Sequence, residues 1–346
     1  MDQVIRVLVV DDSAYVRKVI KQMLSRSPLI EVVGVARDGK EALDLVEQLK
    51  PDVVTLDLIM PNMNGIEFLR EQMLRRPLPV IIVSIASESG ETALEALDAG
   101  AVEFVQKPTA LATEKVFEIS DELIQKVKAA ANVKLSNLPT NPNSQVKSPV
   151  VHQIRSGIID IVVMGISTGG PQALSFLIPQ LPENFPIPVA IVLHMPVGYT
   201  EMYAKRLNEI SPLKVVEAKE KDPVIPGTVL IAPAGRHLSF MRQSDGVVIT
   251  HLDARPFDTL HRPSVDVLFQ SAAEVFADRV LGVIMTGMGS DGKQGAAWIK
   301  SHGGLIFTEA EESCVVYGMP RSVEEAGLSD KSIPLSQITA AIMEVL

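Results

Sequence analysis

The stretch Ile159-Asp-Ile-Val-Val-Met164, followed by Gly165-Ile-Ser-Thr-Gly-Gly-Pro171, decides the fold of this chain. Its first part is an apolar, largely β-branched run of strand length, and its second part combines three glycines, a proline and two hydroxyls. Helix-like apolar spacing then resumes over residues 172–178. The stretch therefore predicts a buried strand, a tight turn, and a helix that begins at Gly170 or Pro171.

The turn itself carries a pattern, Gly165-x-Ser167-x-Gly169, that fits a nucleophile elbow. In such an elbow, small flanking residues permit a sharp turn that lifts a serine hydroxyl to the start of a helix. A glycine-rich turn whose backbone N–H groups hold a phosphate is a second reading, and a purely structural turn is a third. The turn alone leaves all three open.

Length and composition limit the class of protein. A chain of 346 residues predicts about two domains, at roughly 150 residues each. Hydrophobic residues make up 47% and aromatic residues only 4%, so aliphatic cores of the α/β kind are favoured over aromatic-rich β-sandwiches. The one cysteine, Cys314, excludes an internal disulfide and a cysteine-based zinc site.

The start of the chain and its charge bear on location and partners. No basic segment leads into an apolar one at the N-terminus and no run reaches about 18 apolar residues, so we expect a soluble, cytoplasmic protein without a transmembrane segment. Residues 1–132 hold 15 Lys and Arg against 21 Asp and Glu, and residues 133–346 hold 17 against 21. Neither half offers the basic face that nucleic acid requires.

The first half alternates strand and helix patterns five times. This alternation predicts a parallel sheet with helices on both faces. The predicted strands are Ile5–Val10, Val32–Ala36, Val53–Leu56, Val80–Val83 and Glu103–Gln106. The predicted helices cover about Ala14–Leu24, Gly39–Lys50, a segment from Ile66, Glu91–Gly100 and Thr113–Ala131.

Five residues with matched chemistry fall at the carboxyl ends of these strands. They are Asp11, Asp12, Asp57, Ser84 and Lys107. Because such ends share one crevice, the three carboxylates need a cation, and Mg²⁺ suits their hard oxygens. A carboxylate beside Mg²⁺, a hydroxyl and an ammonium can accept a phosphoryl group. An acidic cluster that binds only a structural cation is the alternative reading.

With these residues in register, residues 1–131 resemble the receiver domain of response regulators, which implies a flavodoxin-like (βα)5 fold. By that likeness Asp57 is the phosphoacceptor, and Asp11, Asp12 and the backbone carbonyl of Ile59 complete the Mg²⁺ site with it. The likeness further implies that Ser84 is the switch hydroxyl, Phe104 the switch aromatic and Lys107 the phosphate-sensing lysine.

Periodicity fails over residues 132–157, which are rich in Pro, Asn and Ser and predict a flexible linker. Residues 158–346 return to alternating strands and helices, with a hairpin pattern across Ser244-Asp-Gly246. We therefore predict a second α/β domain, a doubly wound parallel sheet to which an antiparallel hairpin is appended.

An elbow serine needs a general base and an acid that orients the base. Of the six histidines, only His194 follows a long buried parallel strand, Val189–Leu193, which places it in the crevice beside Ser167. Asp291 lies in a glycine-rich loop after another buried strand, and the N–H groups of this loop suit an oxyanion hole. The order Ser, His, Asp differs from that of α/β-hydrolases, which indicates a different fold or speaks against the triad.

Four motifs of the second half together resemble the catalytic domain of the chemotaxis methylesterase CheB family. They are Gly165-Ile-Ser-Thr-Gly-Gly-Pro171, Leu193-His-Met-Pro196, Arg262-Pro-Ser-Val-Asp-Val-Leu-Phe269 and Thr286-Gly-Met-Gly-Ser-Asp-Gly292. The resemblance implies a serine hydrolase that removes γ-methyl esters from chemoreceptor glutamates and, in many relatives, deamidates glutamines. It implies Ser167, His194 and Asp291 as the triad, the Met288 N–H as an oxyanion donor and Thr168 as a supporting residue.

The resemblance also implies partners and regulation. The partners are the histidine kinase CheA, which phosphorylates Asp57, and methyl-accepting chemoreceptors as substrates. An unphosphorylated receiver would cover Ser167, and phosphorylation would loosen it. Two other classes stay open: a module whose Gly165–Gly170 loop holds a nucleotide phosphate, and a non-catalytic adaptor that only takes up phosphate from the kinase.

Overall fold

The computed structural model describes residues 4–84, 86–107, 113–133, 159–256 and 258–346. The chain divides into two compact units, Met1–Ser136 and Asn137–Leu346. Most of the predicted linker, 132–157, lies outside the described residues. Within the described ranges, no helix combines the length and the apolar character that crossing a membrane requires.

The first unit is a five-stranded parallel sheet in the order β2-β1-β3-β4-β5. Its strands are β1 Ile5–Val10, β2 Ile30–Ala36, β3 Val53–Leu56, β4 Val80–Ser84 and β5 Glu103–Gln106. Its helices are α1 Ala14–Leu24, α2 Gly39–Leu49, α3 Gly65–Arg75, α4 Ala86–Asp98 and α5 Thr113–Ala130. Helix α1 packs against α5, while α3 packs against α2 and α4, so helices cover both faces. This is the flavodoxin-like order, and the prediction of that fold is confirmed.

Side-chain caps fix where the first three helices begin. The Ser13 and Asp38 side chains accept the N–H groups of Val16 and Glu41 at the starts of α1 and α2. Asn64 and Glu67 form a reciprocal capping box at the start of α3. The Ser13 cap therefore fixes the end of the loop that carries Asp11 and Asp12, and the Asn64 cap fixes the end of the loop that carries Asp57.

The second unit is a seven-stranded parallel sheet in the order β14-β13-β12-β6-β7-β9-β8, with a separate antiparallel hairpin, β10–β11. The strands are β6 Ile161–Ile166, β7 Val189–Leu193, β8 Lys214–Glu217, β9 Thr228–Ile231, β10 His237–Arg242, β11 Val248–Asp253, β12 Val280–Ile284, β13 Leu305–Glu309 and β14 Lys331–Ile333. The helices are α6 Gly170–Leu177, α7 Thr200–Ile210, α8 Val265–Phe276, α9 Lys293–Ser301, α10 Met319–Glu324 and α11 Leu335–Val345. The predicted α/β class and the predicted hairpin are confirmed.

The order of this sheet determines where a site can form. From β6 the chain continues to β7 on one side, whereas β12 begins the other half of the sheet on the opposite side. The boundary between β6 and β12 is therefore a topological switch point, where the loops after the two strands separate and open a crevice. Helix α8 packs on β6 and on α9, which brings its N-terminus to the same edge.

Three predicted elements, β2, α4 and β6, have boundaries that differ from the prediction by two residues or more, and one strand was not predicted. Helix α4 begins at Ala86, not near Glu91, because its first turn lacks the apolar spacing by which a helix is recognised. The three-residue strand β14 was not predicted, since two of its residues are exposed and it has no apolar run. Strand β2 begins at Ile30 rather than Val32, and strand β6 covers Ile161–Ile166 rather than Ile159–Met164.

Candidate functional site

Ser167 lies on the turn that joins β6 to α6. Its N–H donates to the carbonyl of Thr286 at 3.0 Å, and its carbonyl accepts the N–H of Gly170 at 2.7 Å. Gly169 adopts a left-handed conformation, with φ of +79°, immediately before the helix. Glycine takes that conformation without strain, so the chain can reverse sharply and leave the Ser167 side chain half-exposed at the helix start.

His194 follows the neighbouring strand, β7. Ile166 and Leu193 are register partners, and the N–H of His194 donates to the carbonyl of Ile166 at 3.1 Å. Ser167 and His194 are therefore the next residues after paired positions on two strands that lie about 4.8 Å apart. The structure places them side by side at the carboxyl edge of the sheet.

The His194 ring is bound to Asp291 through one nitrogen only. Its Nε2 lies 2.8 Å from Asp291 Oδ2, and both side chains are only 9% exposed. A carboxylate accepts hydrogen bonds, so the proton must be on Nε2. His194 Nδ1 is buried and has no hydrogen-bond partner among the described residues. In the neutral ring, Nδ1 therefore carries the free lone pair of a base.

The Asp291 carboxylate lies at the N-terminus of α8. Oδ1 accepts the Ser264 hydroxyl at 2.8 Å and the Asp266 N–H at 3.0 Å, and Oδ2 accepts the Val265 N–H at 2.8 Å. Burial alone would raise the pKa of Asp291. The hydrogen bond and charge of His194, together with these backbone donors, outweigh burial and hold its pKa below the usual range. Asp291 is thus fixed as an anion.

Two further histidines support this arrangement. The His261 ring stacks on the His194 ring, with centroids 4.0 Å apart and an interplanar angle of 21°. Buried His237 accepts the Ser264 N–H on Nδ1 at 3.2 Å, and its Nε2 lies 3.1 Å from the carbonyl oxygen of Pro256. Burial lowers the pKa of His237, which keeps the ring neutral and able to accept at Nδ1.

The loop after β12 meets the serine turn. The Thr286 hydroxyl donates to the Thr168 carbonyl at 2.9 Å, and Thr168 is buried. A Cβ on Gly287 would lie 2.8 Å from Ser167 Cβ, so only glycine permits this approach. The next residue, half-buried Met288, has an N–H that makes no hydrogen bond to the described part of the chain. That N–H is available to a ligand beside Ser167.

Sequence reasoning missed three residues that contact this site. Ser264 and Asp266 both belong to the motif Arg262–Phe269, which was noted only for its family likeness. Glu309 is the last residue of β13, at the edge of the sheet where Ser167 and His194 follow their own strands, but no role was assigned to it. The rule that polar residues gather at carboxyl strand ends could have found Glu309; the other two depend on where α8 packs.

The first unit carries an acidic cluster at its own carboxyl edge. Oxygen atoms of Asp11, Asp12 and Asp57 lie within 4.8 Å of one another. The Lys107 ammonium lies 2.9 Å from Asp11 Oδ2 and 2.7 Å from Asp57 Oδ2. Burial raises the pKa of Asp57 against the effect of Lys107, and the two carboxylates raise the pKa of Lys107 against the effect of burial. The raised pKa of Lys107 shows that the charge around its ammonium is predominantly negative.

These residues fit a divalent cation. Asp11 Oδ2 is buried and, among the described residues, has no donor in hydrogen-bonding geometry, although Lys107 lies within ion-pair distance. Three carboxylates against one ammonium leave charge that a hard cation would neutralise, and oxygen ligands suit Mg²⁺. The Ile59 N–H donates to Asp57 Oδ1 at 3.4 Å, and the role of the Ile59 carbonyl as a further ligand stays a prediction.

The predicted switch residues lie on the strands that flank this cluster. Buried Ser84 ends β4, and its carbonyl accepts the Lys107 N–H at 2.8 Å. Phe104 is buried on β5, and its carbonyl accepts the Lys126 ammonium at 2.8 Å. Lys126 also lies 2.9 Å from Glu122 and 3.7 Å from Glu103, so an ion-pair group holds the strand that bears Phe104.

Comparison with known proteins places both halves in described families. Residues 162–342 match the family model of the CheB methylesterase, and residues 7–116 match that of the response regulator receiver domain. A Myxococcus xanthus relative named protein-glutamate methylesterase/protein-glutamine glutaminase 5 is 49% identical, over 98% of this chain and 97% of its own length. A Thermotoga maritima relative named protein-glutamate methylesterase/protein-glutamine glutaminase is 43% identical, over 100% of this chain and 99% of its own.

A solved structure agrees with the second half. The crystal structure of the Thermotoga maritima CheB methylesterase catalytic domain aligns with a TM-score of 0.53 and 44% sequence identity. The alignment covers 54% of this chain and 99% of that domain. The chain therefore belongs to the CheB methylesterase family, with a response regulator receiver domain ahead of its methylesterase domain.

Proposed function

We propose that this protein is a phosphorylation-activated protein-glutamate methylesterase of chemotactic adaptation. Its substrates would be glutamate γ-methyl esters on methyl-accepting chemoreceptors, from which it would release methanol. The same site would hydrolyse receptor glutamines, with ammonia as the leaving group. The names of the relatives support this chemistry, and the residues at the switch point of the second sheet supply the groups for it.

In the first step, Ser167 Oγ attacks the ester carbonyl carbon while His194 Nδ1 takes the hydroxyl proton. Negative charge then develops on the carbonyl oxygen, where the Met288 N–H donates to it. Asp291 holds the Nε2–H of His194 and stabilises the imidazolium. His194 Nδ1 returns the proton to the departing methoxide, so methanol leaves and the glutamyl group remains bonded to Ser167.

Water completes the reaction by the reverse sequence of proton transfers. His194 Nδ1 takes a proton from water as its oxygen attacks the acyl-enzyme carbonyl, and then returns that proton to Ser167 Oγ. The products are a free glutamate carboxylate and the original serine. Thr168 supports the turn throughout, because its carbonyl is held by the Thr286 hydroxyl.

One observation carries this proposal: the pairing of His194 Nε2 with Asp291, which leaves Nδ1 without a partner at the strand end beside Ser167. A histidine held only for structure would be expected to use both nitrogens when buried. A phosphate-binding loop would need no such base. The geometry therefore supports a hydrolytic role better than a nucleotide-binding one.

The receiver domain would control this activity. We propose that the chemotaxis histidine kinase CheA supplies the phosphoryl group to Asp57, with Mg²⁺ held by Asp11, Asp12, Asp57 and the Ile59 carbonyl. When bound, the ion neutralises charge on the phosphoryl oxygens. Lys107 would turn toward the new phosphoryl group, while Ser84 and Phe104 would change position on their strands and relay the change.

A serine-directed phosphonate and methyl-labelled receptor test the function directly. Wild-type protein should bind one phosphonate and release labelled methanol, whereas Ser167→Ala should bind none and lose about 10³-fold or more in turnover. Ser244→Ala, in the exposed hairpin turn, is the matched control and should behave as wild type. Near-normal methanol release by Ser167→Ala would refute the serine-esterase mechanism.

A further inference from the structure

Glu309 is a fully buried carboxyl group that the proposed mechanism does not use. It is the last residue of β13, with an exposure of 0%, on the strand next to β12. Its Oε2 accepts the Thr286 N–H at 2.9 Å, and the Ser313 hydroxyl lies 2.9 Å from Oε1. Burial raises the pKa of Glu309 to about 7. A buried carboxyl group is costly unless its hydrogen bonds are satisfied, and these two contacts satisfy both oxygens.

Thr286 connects Glu309 to the serine turn. The Thr286 carbonyl accepts the N–H of Ser167 at 3.0 Å, and its hydroxyl donates to the carbonyl of Thr168 at 2.9 Å. The same hydroxyl accepts the N–H of Val316 at 3.0 Å. Every polar atom of Thr286 therefore takes part in a hydrogen bond. Its carbonyl binds the serine turn, and its N–H binds the Glu309 carboxylate on β13.

The proposed oxyanion donor, the Met288 N–H, is positioned through the same contact between Glu309 and Thr286. Met288 lies two residues beyond Thr286, and Gly287 between them donates to the carbonyl of Val316 at 2.9 Å. A displacement of the Thr286 peptide would therefore move the Ser167 backbone and the Met288 N–H together.

The Ser313 hydroxyl keeps the hydrogen bonds of Glu309 satisfied in either protonation state. It lies 2.9 Å from Glu309 Oε1 and 3.2 Å from the Ala310 carbonyl, and it accepts the Leu335 N–H at 2.9 Å. When Glu309 is ionised, Ser313 donates to it; when Glu309 is protonated on Oε1, Glu309 donates to Ser313, which then donates to Ala310. Oε2 accepts the Thr286 N–H in both cases.

We propose that Glu309 is a positioning residue of the esterase site, which fixes the Thr286 peptide and through it the Ser167 nucleophile and the Met288 oxyanion donor. The inference rests on the proposed role of Ser167. Because Glu309 is fully buried and engaged with its neighbours, it acts on the geometry of the reaction rather than on substrate binding. Its loss should therefore lower kcat and leave KM unchanged.

The experiment compares three replacements in the full-length protein. Glu309→Gln keeps an oxygen for the Thr286 N–H and an amide that donates to Ser313, so it should retain most of the activity. Glu309→Asp is too short to hold both partners, and Glu309→Leu holds neither. Both should lower kcat by up to about 10²-fold, the effect expected from a displacement of about 1 Å. Asn208→Leu is the matched control, since Asn208 accepts the Val215 N–H on β8, three strands from β6.

The rate constant of phosphonate labelling at Ser167 gives a second measure that does not depend on how much protein folds, because the amplitude reports the folded fraction. Slow labelling of the Asp and Leu variants, with fast labelling of the Gln variant and of Asn208→Leu, supports the proposal. Wild-type rate constants in the Asp and Leu variants, or a Gln variant as slow as Leu, would overturn it. Neither result bears on the proposed function, which is refuted only if the Ser167→Ala variant keeps its activity.

Discussion

Asp266 and Asp291 each cap the helix to which the other is attached. Asp291 accepts N–H groups from the first turn of α8, which contains Asp266. Asp266 Oδ1 accepts the N–H groups of Gly292 and Gly295 at 2.9 and 2.7 Å, at the start of α9, which follows Asp291. Since helix N-termini favour negative charge, each carboxylate gains stabilisation from the other's helix. The pair fixes the acid that orients His194.

The two acids should nonetheless differ in their effect on turnover. Asp291→Asn places an amide against His194 and removes the charge that stabilises the imidazolium, so we expect turnover to fall by up to about 10⁴-fold. Asp266→Asn keeps an oxygen for Gly292 and Gly295 and does not contact His194, so it should retain most of the activity. Methanol release by both variants, with thermal unfolding as the check on folding, measures the difference. An active Asp291→Asn beside an inactive Asp266→Asn would show that the orienting acid is the wrong one.

The close approach at Gly287 gives a steric test. In Gly287→Ala the new Cβ would lie 2.5 Å from Met319 Sδ, 2.8 Å from Ser167 Cβ and 3.1 Å from Ser167 N. The Met319 side chain can turn aside, but the contacts with Ser167 require the serine turn or the Met288 loop to shift. We expect kcat to fall by about 10²-fold, since a shift near 1 Å at reacting groups has an effect of that size. KM should change little.

Gly282→Ala is the control for this test, because Gly282 lies on the strand that leads to the same loop. Its Cβ would meet the Ile306, Ile299 and Phe269 side chains at 2.6 to 3.0 Å, away from Ser167. That variant should lose thermal stability and keep its kcat. Equal losses of kcat in both variants would mean that β12 packing in general, rather than contact with Ser167, sets the rate.

Much of this architecture follows from local sequence signals. Strands such as β1, β3 and β7 were predicted residue for residue, because each is an apolar run bounded by polar or turn residues. The short edge strand β14 has no such run, and it is held in the extended conformation by its pairing with β13. The fold class is confirmed. The boundaries that were predicted wrongly lie where pairing with another strand, or the polar first turn of a helix, determines where the element begins.

The site was predictable only in part. Ser167, His194 and Asp291 all follow buried parallel strands, so the rule for carboxyl strand ends brings them to one crevice, and the structure does the same. The rule does not say which helix starts face that crevice. The contacts of Ser264 and Asp266 with Asp291 depend on how α8 packs on β6 and α9, which the sequence pattern leaves undetermined. The catalytic roles themselves stay a prediction until the variants are measured.

Titration of Glu309 should make stability depend on pH. Burial raises its pKa from an ordinary value of about 4.5 to about 7, so the folded protein holds this proton more tightly than the unfolded chain does. Between these pH values the unfolded state binds fewer protons, and the stability of the wild type falls as pH rises, then levels off above about 7. Glu309→Gln cannot ionise.

The measurement is the difference in Tm between Glu309→Gln and wild type across this range. All other titrating groups are common to both proteins, so the difference isolates Glu309. It should grow in favour of the Gln variant from about pH 4.5 to about pH 7 and then remain constant. A difference that does not vary with pH would show that Glu309 is not protonated more readily in the folded state.

Control by the receiver can be tested by adding a small phosphodonor to three proteins: the full chain, Asp57→Asn, and a fragment of residues 159–346. We expect the donor to raise methanol release by the full chain only. Asp57 already lies against Lys107 and near Asp11 and Asp12, so a phosphoryl group there would redistribute the Lys107 contacts. The Asn variant lacks the accepting carboxylate. The fragment lacks the receiver, and its solved relative is a methylesterase domain that was crystallised alone.

The size of the response distinguishes two kinds of control. If the unphosphorylated receiver restrains the esterase domain, the fragment should be faster than the full chain without donor, and a change of a few kcal/mol in a two-state equilibrium is enough for a large activation. Chelation of Mg²⁺ should abolish the response of the full chain and leave the fragment unaffected, since the acidic cluster belongs to the receiver. A fragment no faster than the unphosphorylated full chain would exclude restraint. Phosphorylation would then have to act positively, for instance by creating part of the surface that binds the receptor.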